Sequence, residues 1–459
     1  MRRHVSSLAL LLCAGCFNAH PIDEGSSGTR LELIAWEPED GTGIHATSFF
    51  DRELGVECRY SAETATGRYR CRPRPMTQLL FLDSGCRETV TPSCLAEAHA
   101  MVSAWRRAGP SPGCGVPAPH YVASYRVGES VTAARTWRLG IDGACEETDG
   151  SFTDLVRLSE LPDEMFVAAE ESVRPRDDDE RLGDWIVTGE DGSEWRLGDY
   201  DHELGAACFG VLGTGPIPCI VGVSSPRVVS GSCGELYGWI ASGTSECPAR
   251  PPTLFHRADD GSCGGPGEVH VFRASAPLSA DEAEACIAEP RPPGSYVTLN
   301  PADDAVAWLP NEARGTGRLR AFAGRPSSVT YLSRFGLYLD TELNIECNPD
   351  ALHGVMRCLP SAAVGTSYLY EDPGCTLPAV YLHEETGCSR FAYALQDEDD
   401  GDTCTDYQAR QYYRVGSRLE RAYEASSGGC EEWVPPSPEA YAARLEAVPD
   451  ETFARFRRR

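Results

Sequence analysis

The residues of this chain best placed to do chemistry are acidic, and they recur in pairs. Asp51-Arg-Glu53-Leu54-Gly55-Val-Glu-Cys58 returns as Asp201-His-Glu203-Leu204-Gly205-Ala-Ala-Cys208 and as Asp340-Thr-Glu342-Leu343-Asn344-Ile-Glu-Cys347. Residues two apart on a strand share a face, so each Asp/Glu pair could hold a cation or the hydroxyls of a sugar. Paired carboxylates are also the equipment for cleaving polysaccharide. Against that stands the threefold recurrence, because a catalytic centre seldom appears three times, whereas a turn that starts a strand before a structural cysteine can. Neither acidic run, Asp177-Asp-Asp-Glu180 or Asp397-Glu-Asp-Asp-Gly401-Asp402, matches the spacing of oxygen ligands and glycine in an EF-hand loop, and both read as solvated linker or loop.

Other chemistries find little support. The histidines stand at 4, 20, 45, 99, 120, 202, 256, 270, 353 and 383, with no His-Glu-x-x-His zinc site, and no Gly-x-Ser-x-Gly nucleophile elbow is present. All 41 basic residues are arginine. The absence of lysine removes the P-loop lysine, Schiff-base chemistry and a lysine general base. A formal charge of -28 repels a phosphate backbone, so nucleic acid is excluded as a partner. Hydrophobic residues at 41% are ordinary for a chain that buries a core, and 459 residues suggest two to four domains.

The elements that must position these residues begin with an export signal. Arg2 and Arg3 precede an apolar run from Val5 to Cys13 that is too short to span a bilayer, and small residues follow before Cys16. Leu12-Cys13-Ala14-Gly15-Cys16 resembles the lipobox of bacterial lipoproteins, which implies a lipid on Cys16 and cleavage after residue 15. Phe17 replaces the Asp that would retain such a protein at the inner membrane, so the resemblance points to the outer membrane or cell surface, with residues 16–28 as a tether. No later segment is apolar for long enough to cross a membrane.

Beyond the signal, eighteen cysteines fall into three sets of six: Cys58, 71, 86, 94, 114, 145; Cys208, 219, 233, 247, 263, 286; and Cys347, 358, 375, 388, 404, 430. None has the close spacing of a zinc site, and an even set in an exported chain reads as disulfides. Other landmarks keep step, notably Tyr125-Arg-Val-Gly128 with Tyr413-Arg-Val-Gly416, and Pro162-Asp-Glu-Met-Phe166 with Pro449-Asp-Glu-Thr-Phe453. The chain therefore divides into copy 1 (29–181), copy 2 (182–313) and copy 3 (314–459).

Within each copy, short stretches alternate in polarity between frequent turn residues, which is the period of half-buried strands. Turn-prone runs separate the first two cysteines of every copy, so hairpins bridged by Cys58–Cys71, Cys208–Cys219 and Cys347–Cys358 are expected, each closing a loop worth about 3 kcal/mol. Only Cys94 to Trp105 and Ala280 to Glu289 are predicted helical. The fold class is all-β in three tandem disulfide-rich repeats. Two architectures fit: a six-bladed β-propeller with two blades per copy, or three separate small β-domains.

The lipobox-like Cys16, the repeated Asp-x-Glu-x-x-x-x-Cys motif, and the steps Asp83-Ser-Gly85-Cys86 and Asp372-Pro-Gly374-Cys375 together resemble an uncharacterised family of cysteine-rich repeat lipoproteins of GC-rich Gram-negative bacteria. The resemblance implies location and architecture and no chemistry. The expected role is a non-enzymatic one, binding or scaffolding, in a lipid-anchored envelope protein whose partner is a protein or a glycan, with no cofactor. The competing class is an extracellular enzyme acting on polysaccharide through the paired acids.

Overall fold

The computed structural model describes residues 25–459 except 63–67, 75, 78, 94–98, 108–119, 141–143, 149–153, 177–178, 211–215, 221–226, 231–235, 242–253, 261–265, 287–293, 310, 323–336, 362, 366–368, 384–391, 398–409, 427–428 and 438. The protein is all-β. Among the described residues it has one short α-helix, Ala280–Cys286, and three single 3-10 turns at Asp163–Met165, Asp303–Ala305 and Asp450–Thr452.

Each copy opens with an antiparallel meander of four strands. In copy 1 these are β1 (Leu31–Pro38), β2 (His45–Asp51), β3 (Val56–Ala62) and β4 (Arg68–Pro73), each paired with the next. Much later in the chain, β5 (Ala168–Pro175) hydrogen-bonds β4 on one side and β6 (Leu182–Gly189) on the other. From β6 the second meander follows through β7 (Glu194–Asp201), β8 (Ala206–Gly210) and β9 (Ile217–Ile220).

Copy 2 ends in a segment that serves two sheets. Its β10 (Trp308–Leu309) pairs with β9, and β11 (Ala313–Arg314) pairs with β12 (Leu319–Phe322) of copy 3. Strands β13 (Tyr338–Asp340), β14 (Ile345–Leu352) and β15 (Val355–Pro360) complete the third meander. Finally β16 (Phe456–Arg458) pairs with β1, while Arg455 bridges Arg357 of β15. Every meander thus has its outer edges taken by strands that close one copy and meet the next, which leaves few bare edges.

The second half of each copy is a further sheet. In copy 1 the strand order, by residue range, is 145–147, 137–139, 80–81, 89–92, 155–160, 120–131, 101–107, 76–77, and copy 3 repeats it as 429–432, 423–426, 369–370, 378–383, 440–447, 410–418, 393–397, 363–365. In both, the last pairing is parallel and the rest antiparallel. Copy 2 shows the five central strands of this order. These sheets are small disulfide-stapled β units. Among the described residues no closed six-bladed propeller is seen: hydrogen bonding runs from one meander through a linking strand into the next, where blades would keep their edges separate, and the sheets are consistent with the alternative of small β-domains.

The predicted helix across Cys94 to Trp105 also needs correction from residue 101 onward, residues 94–98 lying outside the described residues. Residues 101–107 form a strand that pairs with 120–131 over seven positions. Alanine-rich sequence favours helix locally, but Val102 and Ala104 are fully buried between neighbouring strands, and tertiary pairing overrides propensity. The Ala280–Cys286 helix lies within the range predicted for copy 2.

Core formation follows the same linkage. Leu31, Phe49, Cys58, Tyr60, Tyr69 and Cys71 of copy 1 form one buried cluster, and Val187 and Trp195 of copy 2 insert into it. In copy 3, Leu319, Tyr338, Cys347, Cys358 and Phe456 form the equivalent cluster, against which Trp36 of copy 1 packs. The Cys58–Cys71 and Cys347–Cys358 disulfides sit inside these cores, and Cys208–Cys219 sits in a corresponding cluster of copy 2 with Leu182, Ile217 and Leu309.

Candidate functional site

The paired acids occupy one structural place in each copy, at the turn between the second and third strands of the meander. Asp51 is fully buried, and its Oδ1 accepts the backbone N–H groups of Glu53 (3.0 Å) and Leu54 (3.1 Å). Asp201 accepts from Glu203 and Leu204, and Asp340 from Glu342 and Leu343, in the same geometry. The turn closes through Gly55 (φ +67°), Gly205 (φ +64°) and Asn344 (φ +53°). Left-handed backbone favours glycine and tolerates asparagine, and no atom lies within 4 Å of a Cβ placed on Gly55, so copy 3 can use Asn there.

The same carboxylates carry an arginine that the sequence motif did not include. Arg30 donates to Asp51 through Nε (2.9 Å) and Nη2 (2.7 Å), places Nη1 3.0 Å from Glu53, and donates from Nη2 to the Met165 carbonyl at 2.7 Å. Arg181 repeats this with Asp201 (3.0 Å), Glu203 (3.1 Å) and the Ala305 carbonyl (2.7 Å). Arg318 does so with Asp340 (2.8 Å), Glu342 (3.1 Å) and the Thr452 carbonyl (2.6 Å). Each carbonyl belongs to the last residue of a 3-10 turn, so one guanidinium ties the turn, both acids and the end of the copy together. The Asp51 hydrogen bond is the main reason Arg30 is held above its ordinary pKa. A signal for the missing partner existed in Arg30-Leu31, Arg181-Leu182 and Arg318-Leu319, which open the first strand of each meander.

Other sequence candidates resolve in a similar way. Asp83 accepts the N–H groups of Gly85, Arg87 and Glu88, and Asp372 those of Gly374, Thr376 and Leu377. Backbone donors from Glu88 and Arg87 lower the pKa of Asp83, and those from Leu377 and Thr376 lower that of Asp372. These loops present Cys86 and Cys375 to Cys145 and Cys430, forming a second pair of equivalent disulfides. Of the acidic runs, Asp179 accepts from the N–H groups of Arg181 and Leu182, while residues 398–402 lie outside the described residues, as does Cys16. Among the described residues no cluster of three His, Cys, Asp or Glu side chains could hold a metal ion.

One polar cluster escaped the sequence reading. Opposite the first cysteine of each meander stand Phe49, Asp199 and Tyr338, so copy 2 alone has a carboxylate where the others have a ring. Asp199 also faces Asp184 across the strands, and like charges so placed repel. Arg176 and Arg196 each bind both carboxylates: Arg176 donates to Asp184 at 2.8 Å and to Asp199, and Arg196 donates to Asp184 at 3.0 Å and to Asp199 at 2.6 Å. The two charges of each sign offset, making this a structural ion network.

The disulfides are those of an exported protein, and among the described residues no helix is long and apolar enough to cross a membrane. A family model described as a family of unknown function, DUF7481, matches residues 8–220, covering copy 1 and the first meander of copy 2. The chain is similar over that stretch to an uncharacterised family. No curated protein and no solved structure matches it.

Proposed function

We propose that this is a lipid-anchored protein of the cell envelope, attached through Cys16, whose repeats present a non-enzymatic binding or scaffolding surface to a protein or glycan partner. The observation that carries the reading is the fate of the paired acids. All three pairs lie in equivalent turns, each spanned by an arginine, and each Asp is fully buried on backbone N–H groups. A carboxylate so engaged is poorly placed to transfer a proton or attack a sugar. An outer-membrane or surface location rests on the lipobox resemblance and on Phe17, and the disulfides agree with it.

Two measurements test the proposal. Labelled palmitate should enter the full-length protein and not the Cys16→Ser variant, which should move to the soluble fraction; unchanged membrane association in that variant would overturn the anchor. Incubation with envelope polysaccharides should leave them intact. Release of reducing ends that is abolished by Asp51→Asn, Asp201→Asn or Asp340→Asn would instead establish the polysaccharide-cleaving enzyme.

A further inference from the structure

The three meanders meet at three seams, and one of them differs in kind. Between copies 1 and 2 the chain itself crosses, β5 running directly into β6, and between copies 2 and 3 it crosses through β10 and β11. The seam between copies 3 and 1 is closed by β16 on β1, strands from opposite ends of the sequence: Arg457 donates to Glu37 across 420 residues. Its other contacts include Phe456 against Tyr338 at 5.2 Å, Trp36 on the copy 3 core, and two backbone hydrogen bonds at 3.0 Å, Thr42 N–H donating to the Leu319 carbonyl and Leu319 N–H to the Asp40 carbonyl.

At this seam sits a histidine whose counterpart in copy 2 is a tryptophan; in copy 3 the position is Arg334, outside the described residues. Trp195 lies opposite Val187, and both insert into the core of copy 1. By position from the Asp of the following turn, His45 is the equivalent of Trp195, and it lies opposite Trp36. Directly opposed residues of an antiparallel pair share a face, so His45 points to the side on which Trp36 packs against copy 3. Its Nδ1 is buried with no hydrogen-bond partner among the described residues. We propose that His45 is an acid-sensitive latch: protonating it charges the seam between copies 3 and 1 and releases the closing strand β16, while the two seams that the chain crosses stay shut.

The surrounding charges favour this outcome. Burial holds the imidazole neutral, with Arg59 on β3 adding to the effect, and pushes its pKa down to about 4. On β16, Arg458 stands opposite Trp36 and so shares the face of His45, adding a like charge to a protonated imidazole, while Arg457 is paired with Glu37 and Arg455, just before the strand, with Glu39. From copy 3, Arg318 is taken up by Asp340 and Glu342 and is also influenced by Asp40, and Tyr338 contributes a ring. A histidine with a depressed pKa in the closed state stabilises that state fully above its ordinary value of 6.5 and loses the contribution as pH falls toward 4. With those two values the opening constant rises roughly 20-fold from pH 7 to pH 5 and about 100-fold by pH 4.

Hydrogen–deuterium exchange on the oxidised full-length protein, corrected for intrinsic rates, reads this directly. Peptides covering 453–459 should lose protection by those factors between pH 7 and pH 4, while peptides covering β5 and β6 should not. His45→Trp, which installs the copy 2 residue, and His45→Phe should both abolish the difference between the seams. Equal acid sensitivity at both seams of the unaltered protein, or a latch that still opens in a folded His45→Phe variant, would overturn the proposal.

Discussion

Replacing Asp51 by alanine should destabilise the protein without touching any exposed feature. The carboxylate is fully buried, receives two guanidinium hydrogen bonds from Arg30 and caps two turn N–H groups. Breaking a buried ion pair from one side costs about 3–5 kcal/mol, because the remaining charge loses its partner. Arg30 is 18% exposed and keeps Glu53 and the Met165 carbonyl, which places the expected loss near the lower end. The uncapped turn adds roughly 1 kcal/mol, giving a total of about 3–4 kcal/mol. Guanidinium unfolding of the oxidised protein, followed by tryptophan fluorescence and by far-ultraviolet circular dichroism, measures it. Asp201→Ala and Asp340→Ala should behave alike, while Glu53→Gln, at a carboxylate 69% exposed, should change stability by less than about 0.5 kcal/mol. Combining Arg30→Met with Asp51→Ala should cost about 1–2 kcal/mol less than the two single changes summed. The reasoning fails if Asp51→Ala costs under about 1 kcal/mol, or if Glu53→Gln matches it.

Two further changes probe the closing seam. Phe456→Ala removes a ring buried against Tyr338 in the copy 3 core and should cost about 3–5 kcal/mol, read as a lower unfolding midpoint; a shift under about 1 kcal/mol would mean that the closing strand contributes little. Gly43→Val meets two obstacles, a φ of +113° and a Cβ that would stand 2.9 Å from the Ala321 Cβ and 3.1 Å from the Tyr338 ring. It should destabilise by about 1–3 kcal/mol and raise exchange at 456–458 more than at 168–175, and equal effects at both places would argue against a local seam.

The meanders join head to tail in cyclic order, copy 2 to copy 1 through β5, copy 1 to copy 3 through β16, and copy 3 to copy 2 through β10 and β11. Equivalence reaches individual atoms: three arginines, three buried aspartates and three 3-10 carbonyls repeat the same bonds. Copy 2 departs from its neighbours at Asp199, where two arginines and Asp184 stand in for an aromatic contact. Copy 1 departs at His45, where the equivalent residue of copy 2 is Trp195. Both departures sit at seams or cores, where a charged or chargeable group has the largest effect on closure.

What could be read from the chain alone was local. Alternating polarity specified strands, glycine and proline placed the turns, and the short gaps from Cys58 to Cys71, Cys208 to Cys219 and Cys347 to Cys358 pointed to bridged hairpins, because each depends on residues a few positions apart. The repeated Asp-x-Glu was visible for the same reason. Its arginine was not, since Arg30 reaches Asp51 from 21 residues away and meets the Met165 carbonyl 135 residues on, a contact that exists only once the copy has folded back on itself. The strand at 101–107 was misread because the alanine-rich run just before it, Leu95 to Ala100, favours helix locally, while the pairing with 120–126 that fixes the strand lies outside any local pattern. Which edge pairs with which is likewise absent from any local pattern. An unpaired strand edge must find partners or water, and the linking strands β5, β10, β11 and β16 were assigned to neighbouring copies by geometry that only the assembled meanders possess.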